Sequence, residues 1–419
     1  MSLTDSASLF DCVVIGGGAA GLAGALEAHR LGLKTLLIEN NDRLGGIPFQ
    51  CIHPGFGLFH YKDDLTGTEF AERFIKSFHE QHISCISGGH VCSISQEASH
   101  QKQIKVVTKH GLQTIHSKTI LYATGARERH LYETGITGDR VGGIFTAGEA
   151  QTMMDVDGIM PGNRILIIGS GDIGLIMARR FALEGARVVG VVEMMPYATG
   201  LTRNIFQCLH DFNIPLFTST KVKEIHGTHH VEQVRAISVD ASGVPIQGTE
   251  KTISCDMVAL ATGLIPYTEK LQELSVHIDA CTRGPVVTEE FQSSIPGIFV
   301  AGNALTINDY VDDAAAQGIN AAQNIHEYIN ATNNQTKQWI TITKKRNISL
   351  VVPQMISATK DVILYIRVQQ PETGVHLCVP ELGLSMMKKK VTPSEMIKLS
   401  LSKKQLEGIT DTISLEIHP

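Results

Sequence analysis

The sequence predicts an α/β fold with two Rossmann-like domains, the second inserted in the first, and a small C-terminal α+β module. Residues 13–39 read as an apolar strand, a glycine-rich turn, an apolar helix and a second strand that ends at Glu39. Residues 164–193 repeat that order and end at Glu193. Because two ordered copies are far more specific than one Gly-x-Gly-x-x-Gly, the repeat predicts two dinucleotide-binding domains in one chain.

The glycines of each copy have separate physical tasks. The first, Gly16, allows a tight turn, the second, Gly18, lets the backbone approach a pyrophosphate, and the third, Gly21, lets the helix pack close to the strand. The helix aims its free N–H groups and its positive dipole end at the phosphates. Glu39 is placed to accept hydrogen bonds from ribose hydroxyls. In the second copy these assignments fall on Gly169, Gly171, Gly174 and Glu193.

The acid that ends the second copy predicts the choice of nicotinamide cofactor. NADP sites normally offer an arginine to the 2′-phosphate at or just after this position. Here Glu193 is followed by residues 194–198, which contain no base, and the first arginine is Arg203. Since a carboxylate repels a 2′-phosphate, the sequence favours NAD(H) over NADP(H).

Further motifs carry a resemblance to a known family. Arg43 and the pair Gly45-Gly46 follow Glu39, two Ala-Thr-Gly turns occur at residues 123–125 and 261–263, and residues 294–303 end in Ala-Gly-Asn. In this order they resemble the two-dinucleotide-domain flavoproteins of the pyridine nucleotide–disulphide oxidoreductase superfamily over residues 10–330.

The resemblance implies FAD in the first copy and NAD(H) in the second. It implies an FAD domain formed by residues 1–125 and 280–335, an NAD domain with its linkers over 126–279, and a C-terminal module over 336–419 for assembly or docking. The FAD residues it implies are Gly16, Gly18, Ala20, Gly21, Glu39, Arg43, Gly45, Gly46, Val91, Ala123, Thr124, Gly125, Arg127, Gly302 and Asn303. The NAD residues it implies are Gly169, Gly171, Asp172, Ile173, Gly174, Glu193 and Gly263.

Two segments resemble a narrower group within the superfamily. Residues 123–129 and 143–151 are similar to the flavin subunits of sarcosine, opine and amino-acid dehydrogenases, and residues 50–58 and 195–204 to flavoproteins encoded beside a glycerol-3-phosphate dehydrogenase. Two positions depart from the superfamily pattern. Asn303 replaces the usual aspartate beside the ribityl chain, and Ile176 replaces a common acid after the second fingerprint.

The eight cysteines argue against a dithiol relay. None forms Cys-x-x-Cys or Cys-x-x-x-x-Cys, and none has iron–sulphur or zinc spacing. One cysteine, Cys51, is distinguished by its position. The resemblance places it where a flavin-facing helix begins, and a helix N-terminus lowers a thiol pKa. Cys51 is therefore a candidate redox thiol and His53 a candidate proton donor. The alternative is a buried thiol and a hydrogen-bonded histidine in a glycine-rich loop.

Composition excludes several classes of protein. The chain has 419 residues, 43% hydrophobic and 19% charged, with a net charge of −6, which argues against a nucleic-acid partner. No apolar run is long enough for a membrane span, and the first eight residues lack the basic and apolar regions of a leader. We therefore expect a cytoplasmic protein. The histidines at 226, 229 and 230 lack ligand partners at metal spacing, so no metal site is predicted.

Element patterns complete the prediction. Helices are expected over 67–82 and 311–330, the second with Asp312 or Asp313 near its start and its N-terminus toward the flavin, and a β meander over 88–120. In the module, residues 348–353 and 362–368 alternate as strands. Residues 392–395 resemble a capped helix start. Residues 388–390 read as a solvated lysine turn.

These features predict an FAD-dependent oxidoreductase that passes hydride between NAD(H) and flavin. Electrons then go to a small molecule, a redox protein or a partner dehydrogenase subunit, and a homodimer is compatible. One alternative is an NADH oxidase or peroxidase that uses Cys51. Another is a flavin-containing scaffold subunit in which the second nucleotide is structural.

Overall fold

The computed structural model describes residues 9–97, 100–331 and 337–419, so the amino-terminal eight residues and the predicted boundary at 335/336 lie outside the described residues. The chain forms two compact units. The first contains the residues up to Ala126 and those from Pro266 onward, and the second is Arg127–Ile265. The α/β fold class predicted from the sequence is confirmed.

The amino-terminal part of the first unit is a sheet of order β5-β2-β1-β8-β7-β6, with β20 (Ile298–Val300) beside β8. Strands β5, β2, β1, β8 and β20 run parallel, and β6, β7 and β8 form the predicted antiparallel meander. The strands of this sheet are β1 (Leu9–Ile15), β2 (Thr35–Ile38), β5 (Ser84–Ile86), β6 (His90–Gln96), β7 (Lys102–Thr108) and β8 (Gly111–Tyr122). Strands β3 (Pro54–Phe56) and β4 (Leu65–Thr66) form a separate antiparallel pair. The helices of this part are α1 (Ala19–Arg30) and α2 (Gly67–Glu80).

Helix α2 begins where its sequence specifies a start. The Thr66 hydroxyl accepts from the Glu69 N–H at 3.2 Å, and a Glu69 carboxylate oxygen accepts from the Thr66 N–H at 2.9 Å, which forms a capping box. Phe70, Phe74 and Phe78 recur at helical spacing and are buried against the sheet. This packing keeps the long loop before α2 attached to the first unit.

The second unit contains a parallel sheet of order β11-β18-β12-β13-β14 and a sheet of order β10-β15-β16-β17. The strands, which include β9 and β19 at the ends of the unit, are β9 (Ala126–Glu128), β10 (Thr137–Gly138), β11 (Ile144–Thr146), β12 (Arg164–Ile168), β13 (Arg187–Val192), β14 (Leu216–Phe217), β15 (Thr220–Gly227), β16 (Val231–Ser238), β17 (Lys251–Ser254), β18 (Met257–Leu260) and β19 (Leu264–Pro266). The helices are α3 (Ala147–Asp155), α4 (Asp172–Leu183) and α5 (Thr202–Ile205).

The chain returns to the first unit earlier than predicted. Helix α6 (Glu269–Glu273) buries Leu271, and Leu271 and Val276 belong to the core of the first unit. Residues 266–279 lie within the range 126–279 that the sequence assigns to the second domain with its linkers, but the chain returns to the first unit at Pro266. Strand β20 (Ile298–Val300) then joins the sheet, and helix α7 (Val311–Asn330) covers it over the predicted range.

Helices α1 and α7 approach through glycines. A Cβ at Gly318 would lie 2.0 Å from the Ala20 carbonyl oxygen, and a Cβ at Gly24 would lie 3.0 Å from the Gly318 carbonyl oxygen. Only glycine permits this backbone contact.

The carboxyl-terminal module has a core of its own within the first unit. Two sheets, of order β23-β21-β28-β25-β26 and β22-β24-β27, enclose it. The strands are β21 (Ile340–Lys344), β22 (Ile348–Val352), β23 (Met355–Ile356), β24 (Val362–Val368), β25 (Glu372–Val379), β26 (Leu384–Val391), β27 (Ile397–Leu401) and β28 (Thr412–His418), with helix α8 (Lys403–Leu406).

Two predictions for the module are confirmed and two are wrong. The strands predicted over 348–353 and 362–368 are β22 and β24. The lysines at 388–390 belong to strand β26 rather than to a turn, because β26 pairs with β25 along their whole length. Residues 392–396 form no helix, since they link β26 to β27 in a turn that contains Pro393.

Candidate nucleotide-binding sites

The first fingerprint lies at one edge of the first sheet. Ile15, Ile38 and Tyr122 are paired neighbours at the carboxyl ends of their strands, so Gly16, Glu39 and the first Ala-Thr-Gly turn emerge side by side. Val300 pairs with Tyr122, which brings residues 301–303 to the same edge. The carboxyl edge of a parallel sheet is where such folds bind ligands.

Two glycines of the first fingerprint are required by packing. A Cβ at Gly16, whose φ is +106°, would lie 2.3 Å from the Ala123 carbonyl oxygen, and one at Gly21 would lie 1.8 Å from the Gly16 carbonyl oxygen. Gly18 is different, because its Cβ would lie 4.0 Å from its nearest neighbour, the Cα of Gly46. Packing therefore does not explain the glycine at 18.

Helix α1 leaves its amino-terminal N–H groups available. Gly18 is the cap residue, no side chain caps the helix, and the first turn carries no acid. Uncapped N–H groups at a helix start form a site suited to phosphate. The exposed Gly46 backbone flanks this start, so the segment fits the approach of a pyrophosphate.

Glu39 is buried and fixed by backbone donors. Its carboxylate accepts from the Gly17 N–H at 2.6 Å and from the Asn41 N–H at 2.8 Å. Each carboxylate oxygen retains further acceptor capacity for a ribose hydroxyl. The Gly89 N–H donates to the Glu39 carbonyl oxygen at 2.9 Å. Val91, at the start of β6, follows this backbone contact by two residues. Exposed Arg43 lies over the Phe49 ring.

The motif at residues 294–303, which we call the late motif, is held by side-chain amides that the sequence analysis did not select. Gln317, fully buried in α7, accepts from the Gly302 N–H at 2.9 Å and donates to Asn308 at 3.0 Å. The Asn303 side-chain oxygen accepts from the Asn308 backbone N–H at 3.0 Å. The predicted residue Asn303 thus has its oxygen committed within the protein, and its amide donors are the groups that remain for a ligand.

The first Ala-Thr-Gly turn is anchored within its unit. The Thr124 hydroxyl donates to the Tyr267 carbonyl oxygen at 2.9 Å, and the Tyr267 N–H donates to the Gly125 carbonyl oxygen at 3.0 Å. Arg127 lies in the second unit instead, where it forms a bidentate pair with Glu133 at 2.7 and 3.0 Å. This pair lowers the pKa of Glu133 to about 2. The role of Arg127 toward FAD stays a prediction.

The second fingerprint repeats the geometry of the first. Ile168 is paired with Val192 and with Leu260, so the glycine turn, Glu193 and the second Ala-Thr-Gly turn meet at one edge. Cβ atoms at Gly169 and Gly174 would each lie 2.2 Å from a carbonyl oxygen, those of Ala261 and Gly169 respectively. Gly171 caps helix α4, and a Cβ there would meet nothing within 4 Å. Again the middle glycine is the one that packing does not require.

Glu193 is more heavily bonded than Glu39. One carboxylate oxygen accepts from the Ser170 N–H at 3.0 Å, the Ser170 hydroxyl at 2.6 Å and the Thr199 hydroxyl at 3.2 Å. The other accepts from the Met195 N–H at 2.8 Å. Ser170 occupies the position of Gly17 in the first copy, and its hydroxyl is the sequence signal that could have predicted this network.

The segment after Glu193 lies on the second fingerprint. Asp172 accepts from the Leu201 N–H at 2.8 Å and from the Asn204 side chain at 2.7 Å. Ile173 is partly exposed at the start of α4. Gly263, with φ at +107°, accepts from the Arg129 N–H at 3.1 Å, so an arginine that the sequence reading did not select lies against the second Ala-Thr-Gly turn.

The loop that contains Cys51 and His53 does not have the predicted helix start. Cys51 follows the carboxyl end of a one-turn 3-10 helix, Ile47–Gln50, and its buried thiol donates to the Ile47 carbonyl oxygen at 3.4 Å. The expectation that a helix begins at Cys51 is therefore wrong, although Cys51 lies against Gly67, the first residue of α2, where a Cβ would be 2.7 Å from the Cys51 Cβ. The Cys-Ile-His-Pro-Gly segment continues as loop and short strand, and the next helix, α2, begins only at Gly67.

Asp312 organises the same loop. This buried carboxylate, in the first turn of α7, accepts from the N–H groups of Gly57 at 3.1 Å, Phe59 at 3.1 Å and His60 at 2.8 Å. Burial lowers the pKa of His60. The His53 ring lies within 3.0 Å of the Pro54 carbonyl oxygen and contacts Phe56. The sequence suggested Asp312 as a helix-start acid but not as the anchor of this loop.

The eight cysteines, all within the described residues, form no disulfide bond. Burial raises the pKa of Cys12 and Cys255 to about 12 and that of Cys208 to about 11. Such thiols are poor nucleophiles. Over residues 9–97, 100–331 and 337–419, no group of three histidine, cysteine or acidic side chains is arranged to hold a metal ion. In the same ranges no helix is long and apolar enough to cross a membrane.

Each glycine-rich turn lies at the carboxyl edge of a parallel sheet and leads into an uncapped helix, and we call these turns the first and second cradle. Two such turns in one chain are typical of oxidoreductases that bind two dinucleotides. Comparison with known families matches residues 10–327 to "Pyridine nucleotide-disulphide oxidoreductase". The chain belongs to this family, whose members are FAD-dependent pyridine nucleotide oxidoreductases.

Individual relatives agree with the family. The chain is 28% identical over 349 residues to the mitochondrial dihydrolipoyl dehydrogenase of Caenorhabditis elegans, covering 75% of this chain and 67% of the relative. It is 27% identical over 326 residues to one of the subunits of the Staphylococcus aureus alkyl hydroperoxide reductase, covering 76% of this chain and 59% of the relative. Thioredoxin reductase of T. acidophilum is similar in structure, with a TM-score of 0.64, 25% identity, and 77% and 99% coverage.

Proposed function

We propose that the first cradle holds FAD and the second holds NAD(H). The observation that carries this proposal is that Gly18 and Gly171 have open space at uncapped helix starts, although the flanking glycines are dictated by packing. When both cofactors are bound, hydride passes between the nicotinamide and the flavin, which is chemistry that the cofactors supply.

The protein contributes binding and orientation. The N–H groups at the start of α1 and α4 would hold the diphosphates, and the carboxylates of Glu39 and Glu193, locked by backbone donors, would hold the riboses. The Asn303 amide donors would meet the ribityl chain. Each contact is pre-organised, because the groups are fixed by neighbours within their own unit.

Gly18→Ala tests this assignment directly. The backbone there has ordinary extended angles and the Cβ meets no close atom, so the thermal midpoint of the apoprotein should change by less than about 3 °C. The methyl group would stand where the pyrophosphate approaches, and we expect the purified variant to lose most of its FAD. Absorbance at the flavin band measures occupancy. Full occupancy in Gly18→Ala would contradict a pyrophosphate at this position.

We further propose NADH rather than NADPH as the reductant. Glu193 lies where the adenosine ribose would bind, and a second negative charge beside it costs several kcal/mol. Anaerobic NADH should bleach the flavin band, and NADPH should do so at least about tenfold more slowly. Equal rates would refute the preference. No bleaching with either would favour the scaffold alternative, in which the second nucleotide does not turn over.

The electron acceptor is proposed to be a separate protein or small molecule. The eight cysteines form no disulfide bond, none is spaced as a dithiol pair, and no helix begins at Cys51. A redox-protein partner accords with the relatives, one of which belongs to an alkyl hydroperoxide reductase of more than one subunit. The finer likeness to subunits of amino-acid or glycerol-3-phosphate dehydrogenases also belongs to this proposal, and native mass measurement of protein from its source tests for a dehydrogenase partner or a homodimer.

Cys51→Ser separates the two enzyme alternatives. We expect the variant to keep the rate of flavin reduction by NADH and its turnover with artificial acceptors within about twofold, because a serine fits the same buried hydrogen bond to Ile47. Cys85→Ser, at a half-buried thiol in β5, is the matched control. Loss of peroxide or oxygen turnover in Cys51→Ser alone would establish the single-cysteine mechanism instead.

A further inference from the structure

The carboxyl-terminal module is bound to the start of α7 by charged contacts. Arg367 pairs with Asp309, and its guanidinium also donates to the Ile307 carbonyl oxygen at 3.1 Å. The Met396 N–H donates to the other Asp309 oxygen at 2.6 Å. Lys398 pairs with Asp313 and lies over the Phe59 ring. The module is therefore continuous with the elements that carry the late motif and the Asp312 loop.

A cavity of about 170 Å³ opens on the module beside these contacts. It lies between the end of β26 and the start of β27, beside the turn formed by residues 392–396. The residues that give it chemical character are Lys388, Lys390, Thr392, Glu395, Met396 and Lys398. Two of them, Met396 and Lys398, also hold the module to α7.

The charge of the lining is positive and partly uncompensated. Three lysines and one glutamate give 3 − 1, or a formal +2. Lys398 is paired with Asp313, whereas the side chains of Lys388 and Lys390 form no ion pair in the described part of the chain. Residues 388 and 390 are two apart on one strand and so share a face. Two cationic side chains on one face of a strand favour the approach of an anion.

We propose that this cavity is a binding site for a small anion that bears a phosphate or carboxylate group. Lys388 and Lys390 supply the charge, the Thr392 hydroxyl and backbone supply hydrogen bonds, and Met396 supplies an apolar wall. The volume of about 170 Å³ is enough for an anion of a few non-hydrogen atoms. The ligand is thus a small metabolite-sized anion rather than a nucleotide or a peptide.

Occupancy is linked to the contact with α7. An anion in the cavity would compete with Asp313 for Lys398, because Lys398 lines the cavity and pairs with Asp313. Removing the charge of Asp313 should therefore strengthen anion binding. The cavity lies wholly in the first unit and needs no cofactor, so anion binding does not depend on the proposed hydride transfer.

Calorimetric titration of the full-length purified protein tests the site. Inorganic phosphate and succinate are titrated separately at constant ionic strength, and the one that binds identifies the oxyanion. We expect saturable binding of one of them, weakened at least about tenfold in K388Q/K390Q. The control K403Q/K404Q removes the same charge from the same module and should bind as the parent protein does. D313N should bind about threefold more tightly.

Two results would overturn the anion site, and a third would overturn its link to α7. The first is the absence of saturable binding of either anion to the parent protein. The second is equal weakening in K388Q/K390Q and K403Q/K404Q, which would show a general charge effect. The third, unchanged or weaker binding in D313N, would refute the link to α7. Circular dichroism and thermal denaturation of each variant establish that it is folded, so that a loss of affinity refers to the site.

Discussion

Gly21→Ala is expected to destabilise the protein by about 3 kcal/mol and to abolish flavin binding. The added Cβ would lie 1.8 Å from the Gly16 carbonyl oxygen, and neither atom can rotate away, because the backbone fixes the positions of both. Helix α1 would have to move off β1, which displaces its start from the edge of the sheet. Thermal denaturation and the flavin absorbance of the purified variant measure the two effects.

Gly32→Ala is the matched control for this change. Gly32 has φ at +81°, but a Cβ there meets nothing within 4 Å. The only expected cost is that of a left-handed alanine, about 1 kcal/mol, with flavin binding retained. If Gly21→Ala were no more destabilised than Gly32→Ala, then close packing of α1 on the turn would not be what requires a glycine at 21.

Asp312→Ala is the second change with a large expected effect. It would leave three backbone N–H groups of the 57–60 loop without their acceptor, and the carboxylate that holds them is only 3% exposed. We expect a loss of about 2–4 kcal/mol in unfolding free energy, because buried donors without partners are costly. Limited proteolysis should also cut the loop sooner than in the parent protein.

Glu290→Ala provides the comparison for Asp312→Ala. Glu290 pairs with Lys337 at the surface of the same unit and accepts no loop backbone. A surface pair of this kind contributes below about 1 kcal/mol. Equal stability losses in the two variants would indicate that water replaces the carboxylate at the loop and that Asp312 does not organise it.

The sequence predicted those features of the fold and of the candidate site that depend on short-range patterns of residues. The strand–turn–helix order around Gly16 and Gly169, and the acids at Glu39 and Glu193, follow from local periodicity and steric demands that any chain must satisfy. Helix α7 was predicted over its full length because its apolar face repeats at helical spacing. The fold class followed from the two copies of one pattern.

The sequence was less informative where long-range contacts decide. The three donors that Asp312 receives lie more than 250 residues away along the chain, so no local pattern announces them. The segment at 392–395 has the composition of a helix start, but pairing of β26 with β25 and of β27 with β24 leaves room only for a turn. Tertiary pairing overrides local propensity in such cases.

The glycine contact between α1 and α7 has a consequence for the order of events during synthesis. The sheet of the amino-terminal segment is incomplete until β20 (Ile298–Val300) leaves the ribosome, because β20 pairs with β8. Helix α1 likewise lacks its partner until α7 emerges, because Gly318 packs on Ala20. The intervening Arg127–Ile265, with its own sheets and cores, emerges whole in the meantime. Nascent chains arrested before residue 298 should therefore protect the later-translated insertion from protease while the earlier-translated segment stays open to cleavage.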